Sequence, residues 1–265
     1  MPTPASTRAI AFEQHGRGDR LIFVHGFTQS RRSWAPVVSL LAGEYEICCC
    51  DLPGHGGSEA THVADLSDAA DLIAHDLGRG TYIGYSLGGR TCLTIALEHP
   101  EVVERLVLIG ATPGIDDDDE RAARVRADRA LADRLDPPDG EPLALEAFLE
   151  QWLAGPLFAH LSPEQADVAA RSVNSTRGLA HSLRSMGTGT QRPTAREIHR
   201  LEMPILLLAG ANDPKFAEIG ATMARAIGNN ATFRTVEDSG HSVPFEQPEQ
   251  FVQILEDWLA RHRLP

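Results

Sequence analysis

Apolar residues arrive in short runs at 21–24, 46–50, 81–85, 105–109, 204–209 and 232–236, and the stretches between them carry apolar residues at helical spacing. Runs this short and continuous read as strands buried on both faces. The intervening segments 33–41, 64–77, 87–98, 216–227 and 248–263 predict helices, and Pro248 suits the first turn of the last one. Strands alternating with helices predict a mostly parallel sheet covered on both sides. Residues 8–14 add an antiparallel strand or hairpin at its start.

The rhythm breaks between residues 115 and 200. An acidic run at 116–120 leads into an Arg- and Ala-rich helical pattern at 121–135 and a turn at 137–142. Two further helical patterns, 143–153 and 162–171, give way to a Gly- and Ser-rich stretch at 172–193. The expected arrangement is one α/β domain over residues 1–265 with a helical cap, residues 115–200, inserted between two of its strands.

Composition narrows the partners. A chain of 265 residues, 42% apolar, supports one large core. Its formal charge of −13 argues against nucleic acid or an anionic membrane, both of which call for a basic face. No apolar run approaches the ~20 residues of a membrane span, and residues 1–12 lack the basic and apolar regions of a signal peptide, so a cytoplasmic location is expected. Cys48, Cys49 and Cys50 alternate between the faces of one strand and Cys92 falls on a helix, which predicts core thiols and no metal cluster. No dinucleotide fingerprint is present, so no metal, nucleotide or flavin cofactor is implied. Oligomeric state has no signature in the sequence.

The chemistry centres on Gly84-Tyr85-Ser86-Leu87-Gly88, which follows the strand 81–85 and opens the helix 87–98. Gly-x-Ser-x-Gly at a strand-to-helix turn is a nucleophile elbow, and its serine needs a histidine to accept its proton and a carboxylate to orient that histidine. The chain order Ser, acid, His is met by Asp213, after the strand 204–209, and His241, after the strand 232–236. Asp213 also suits a plain helix-capping role, and Asp238 competes for the acid position. Oxyanion donors are expected at Leu87 N–H, next to the serine, and at Phe27 N–H in His25-Gly26-Phe27. The loop 51–58, Asp-Leu-Pro-Gly-His-Gly-Gly-Ser, lacks the Lys-Ser/Thr ending of a phosphate loop and reads as scaffold at the rim.

With these residues in place the chain resembles the α/β-hydrolase-fold family over nearly its whole length. In residues 84–90, the cap helix 120–129, residues 183–191 and Asp213-Pro-Lys-Phe it is similar to the 2-succinyl-6-hydroxy-2,4-cyclohexadiene-1-carboxylate synthases of menaquinone biosynthesis. That resemblance implies a lyase that eliminates pyruvate from a succinyl-bearing cyclohexene with three carboxylates, Ser86 serving as a base. It also implies substrate-binding roles for Tyr85, Arg90, Arg124, Trp152 and Arg171, arginine being suited to bidentate carboxylate binding. The family's second histidine is replaced by Pro244, its frequent Glu in the acid loop by Ala211, and Arg192 interrupts its usual Gln-Pro. The competing readings are a carboxylesterase, thioesterase or C–C bond hydrolase using the same three residues, and a catalytically idle ligand-binding member of the fold.

Overall fold

The computed structural model describes residues 9–41 and 43–264. Seven strands form one sheet in the order β1-β3-β2-β4-β5-β6-β7. They are β1 (Phe12–Gly16), β2 (Asp19–Val24), β3 (Tyr45–Cys50), β4 (Gly80–Tyr85), β5 (Val103–Ile109), β6 (Ile205–Gly210) and β7 (Ala231–Val236). All neighbours are parallel except β1 with β3, so the expected antiparallel first strand is present but displaced to Phe12–Gly16. Arg8, where that strand was expected to start, lies outside the described residues.

The period-2 alternation of strand side chains divides the core in two. Ile22, Val24, Cys48, Cys50, Tyr82 and Leu108 face one side, packed under α2 (Leu66–Leu77), α3 (Leu87–Glu98) and α9 (Pro214–Ile227). Leu21, Phe23, Cys49, Ile83, Val107 and Leu208 face the other, packed on α1 (Ala35–Leu41) and α11 (Pro248–Arg261). All four cysteines are buried and unbridged. Burial pushes the thiols of Cys49, Cys50 and Cys92 up, which keeps them inert at neutral pH.

Between β5 and β6 the chain is helical: α4 (Asp118–Leu135), α5 (Leu145–Leu153), α6 (Pro163–Ala166), α7 (Val168–Arg171) and α8 (Thr176–Met186). The expected helix at 162–171 is thus two short ones broken at Asp167, which takes a left-handed φ of 43° and caps the second with its own side chain. The Gly- and Ser-rich stretch holds α8, a helix that its composition hides. Ser175 caps it through Gly178 N, and Leu179, Ala180 and Leu183 close a small core with Ala132, Leu135, Phe148 and Leu149. Last before α11 comes α10 (Val243–Glu246). No helix among the described residues is long and apolar enough to cross a membrane.

Candidate active site

Parallel strands bring their carboxyl ends to one edge of the sheet, where register aligns Val24 with Gly84, Tyr85 with Ile109, and Gly210 with Val236. The loops leaving β2, β4, β6 and β7 therefore meet there. Ser86 sits at the tightest of these turns, with φ 52° and ψ −109°, a conformation that a non-glycine residue adopts only under constraint. The constraint is close packing: a Cβ at Gly84 would run into the Gly88 carbonyl, and one at Gly88 into the Val24 carbonyl. Ser86 N–H is tied to Ile109 O at 2.8 Å, and its side chain caps no helix bond, which leaves the hydroxyl available at the N-terminus of α3.

His241 Nε2 lies 3.1 Å from Ser86 Oγ, and His241 Nδ1 lies 2.9 Å from Asp213 Oδ2. The other carboxylate oxygen of Asp213 accepts Phe216 N–H at 3.2 Å, so the acid is fixed by the helix it caps. With Nδ1–H donated to the carboxylate, Nε2 is the acceptor that faces the serine. Asp238, the competing acid, is exposed and contacts His241 through no hydrogen bond. Glu246 holds the histidine loop from behind: its carboxylate accepts Gly240 N–H at 2.6 Å and Ser242 N–H at 2.7 Å, one on each side of His241.

These residues open on a cavity of about 530 Å³ whose wall includes Ser86, His241, Phe27, Leu87, Arg90, Arg124 and Trp152. That size suits a small organic ligand. Leu87 N–H is the first of α3, and Phe27 N–H has no acceptor among the described residues; both residues line the cavity with Ser86. Arg90 is buried, donating to Met186 O at 2.9 Å and Gln191 Oε1 at 3.2 Å. Burial, and then the neighbouring Arg124, pull its pKa down to about 10, the mark of a cation short of counter-charge. Arg124 gives its Nε to Asp128 at 2.7 Å and keeps its two terminal nitrogens without protein partners among the described residues. Trp152 Nε1 and Ser182 Oγ, on the same wall, are buried and have no hydrogen-bond partner among the described residues.

Two expected binding residues are not brought to this wall. Tyr85 is buried, spends its hydroxyl on Ser242 Oγ at 2.8 Å and packs its ring 5.4 Å from that of His241. Arg171 is buried behind the Phe27 loop, donating to Ala166 O at 2.7 Å and Thr28 Oγ1 at 2.5 Å. The wall gains Lys215, the only lysine of the chain, and the acidic Asp116, Asp117 and Glu120, which composition alone assigns to a solvated face. Asp51 and His55 act as scaffold: Asp51 binds Arg31 and accepts Gly57 N–H, and His55 is buried against Phe27.

The family model described as the alpha/beta hydrolase fold matches residues 19–248. A protein of Bacillus subtilis named putative 2-succinyl-6-hydroxy-2,4-cyclohexadiene-1-carboxylate synthase is 33% identical, over 95% of this chain and 94% of its own. The synthase of that name from Serratia proteamaculans is 32% identical, over 93% and 96%. Among solved structures, MenH from S. aureus superposes with a TM-score of 0.86 at 26% identity, covering 96% of this chain and 98% of the other.

Proposed function

The chain belongs to the alpha/beta hydrolase fold family and, within it, to the 2-succinyl-6-hydroxy-2,4-cyclohexadiene-1-carboxylate synthases, and on that premise we propose that it eliminates pyruvate from 2-succinyl-5-enolpyruvyl-6-hydroxy-3-cyclohexene-1-carboxylate, with Ser86, His241 and Asp213 as its proton-transfer machinery. The observation that carries the reading is the pairing of the Ser86–His241–Asp213 chain with two arginines on one cavity wall, Arg90 buried without a carboxylate partner among the described residues and Arg124 with its terminal nitrogens left over from its pairing with Asp128. An esterase for neutral acyl groups has no use for them, whereas a tricarboxylate does.

Ser86, its proton drawn toward His241 Nε2, removes the ring proton α to the succinyl ketone. The ketone oxygen gains negative charge where the Phe27 and Leu87 N–H groups and the N-terminus of α3 stabilise it. Collapse of this enolate moves the ring double bond and expels the enolpyruvyl oxygen, which leaves as pyruvate once protonated from His241. Asp213 stabilises the imidazolium between the two transfers. Arg90 and Arg124 hold carboxylates, and the indole N–H of Trp152 supplies one further donor. Tyr85 and Arg171 support the site from behind, through His241 and the Phe27 loop.

The test is a lactate dehydrogenase-coupled assay on the succinyl-enolpyruvyl cyclohexene, run beside p-nitrophenyl ester hydrolysis. Pyruvate release abolished by Ser86→Ala is the expected result. Rapid ester turnover without pyruvate release contradicts it and favours the hydrolase reading.

A further inference from the structure

One of the two oxyanion donors sits on a strained turn, and the cap holds that turn. Gln29 N–H donates to Gly26 O at 3.2 Å, closing four residues with Phe27 and Thr28 at the centre. Thr28 takes φ 68°, the sign that a type II turn demands at this position and that glycine or asparagine supplies most readily. A β-branched residue there is an outlier, kept only where the surroundings impose it. Relaxed to negative φ, the Phe27–Thr28 peptide would turn over, and the segment that carries Phe27 N–H would shift with it.

The surroundings that impose it come from the turn between α7 and α8. Asn174 is buried, and its amide nitrogen donates to Thr28 O at 2.8 Å, Arg171 O at 2.9 Å and Gln29 O at 3.3 Å. Its Oδ1 accepts Gly56 N–H at 2.9 Å. Beside it, Arg171 Nη1 binds Thr28 Oγ1. One side chain thus joins the cap to the oxyanion turn and the 51–58 loop, each more than 100 residues from it in sequence. At the other end of the turn, His25 Nδ1 lies 2.7 Å from Gly26 O while its Nε2 accepts Leu52 N–H at 3.0 Å, so Nδ1 carries the proton and donates. With Gly26 O held there, the trans peptide directs Phe27 N–H the opposite way.

We propose that Asn174 is a positioning residue for the oxyanion hole: by gripping Thr28 O from the cap, it keeps the turn in the strained form that presents Phe27 N–H beside Ser86. The hole is then complete only while the cap is seated. This rests on the oxyanion role of Phe27 given above.

Asn174→Asp keeps the shape and the acceptor for Gly56 but has no donor for Thr28 and Gln29, and Asn174→Ala removes both. Each is also made with Thr28→Gly, since glycine enters positive φ without a side-chain penalty. Pyruvate release and p-nitrophenyl acetate hydrolysis are followed in parallel, because a tetrahedral intermediate uses the same two N–H groups, and crystal structures report the φ of Thr28. The expected result is a kcat about 10- to 100-fold lower in both single variants, short of the loss of a whole oxyanion donor. KM stays within about threefold, Thr28 moves to negative φ, and Thr28→Gly restores most of kcat. Full kcat with Thr28 still near 68°, a raised KM with kcat unchanged, or a loss that Thr28→Gly does not recover overturns the inference. If the protein hydrolyses the ester but releases no pyruvate, the synthase reading falls while ester kcat decides this one. Where neither turnover is measurable, the φ of Thr28 decides it.

Discussion

Ser86, His241 and Asp213 were legible in the sequence because an elbow serine, an acid and a histidine follow a fixed chain order, each after its own apolar run. Glu246 and Asn174 were not, since their partners are backbone N–H and C=O groups, which every residue carries and no motif marks. Tyr85 and Arg171 show the converse. Each has a side chain suited to a ligand and lies near the site, yet the Tyr85 hydroxyl is taken by Ser242, and Arg171 gives its Nε and Nη1 to Ala166 O and Thr28. Ser86→Ala and His241→Ala are each expected to lower kcat at least about a thousandfold while Tm stays within about 2 °C, because under the proposed mechanism each removes a reacting group and little packing. Glu246→Gln should lower kcat about tenfold or more, since its amide can accept only one of the two N–H groups that flank His241 and sets a donor against the other. Arg124→Ala should raise KM for the tricarboxylate about tenfold or more and leave p-nitrophenyl ester hydrolysis unchanged, because the charged hydrogen bond it offers, worth roughly 1.5–3 kcal/mol, has no counterpart in a neutral ester. Steady-state kinetics on the two substrates separate these outcomes.

The six parallel strands were legible to within two residues because each is a short continuous apolar run between turn signals, whereas β1, mostly exposed, carries no such run and was placed several residues early; α3 lies at the limits set by the elbow that starts it. The helix α8 was hidden because its own propensity is poor. Gly178, Ser182, Ser185 and the following glycines suggest a loop, and only packing of Leu179, Ala180 and Leu183 against α4 and α5 makes it a helix. The apolar spacing at 179, 183 and 186 was the available signal. Ser175→Ala should lower stability by about 1 kcal/mol through loss of the cap on Gly178 N–H, read by urea unfolding. Gly178 is there for contact as well, because a Cβ on it would run into the Gly54 carbonyl. Where α8 crosses the 51–58 loop, two glycines let backbone approach backbone, which seats the cap over the sheet edge.

Against a net charge of −13 for the whole chain, the cavity wall at the sheet edge balances Arg90, Arg124 and Lys215 against Asp116, Asp117 and Glu120. A polycarboxylate held by these arginines should bind less tightly as salt rises, most for the exposed part of Arg124. Below the pocket, burial pulls the pKa of His25 down and that of His55 down to about 3, against about 6.5 for an unfolded histidine. The unfolded chain therefore takes up protons that the folded one refuses, and stability falls as pH drops from about 6.5 toward 3. For His55 alone the loss is on the order of 3 kcal/mol at pH 4.5, and His55→Asn should flatten that limb of the urea-unfolding profile. The proposed reaction requires Ser86, hydrogen-bonded to His241 and through it to Asp213, to take up a proton and never to become acylated. Substrate carrying deuterium at the ring carbon that bears the succinyl group distinguishes the two chemistries in a single turnover, followed by pyruvate release and by the intact mass of the protein. Proton removal by Ser86 gives slower pyruvate release from the deuterated substrate and an unmodified protein mass at every time point; equal rates together with a covalent adduct on Ser86 would contradict it.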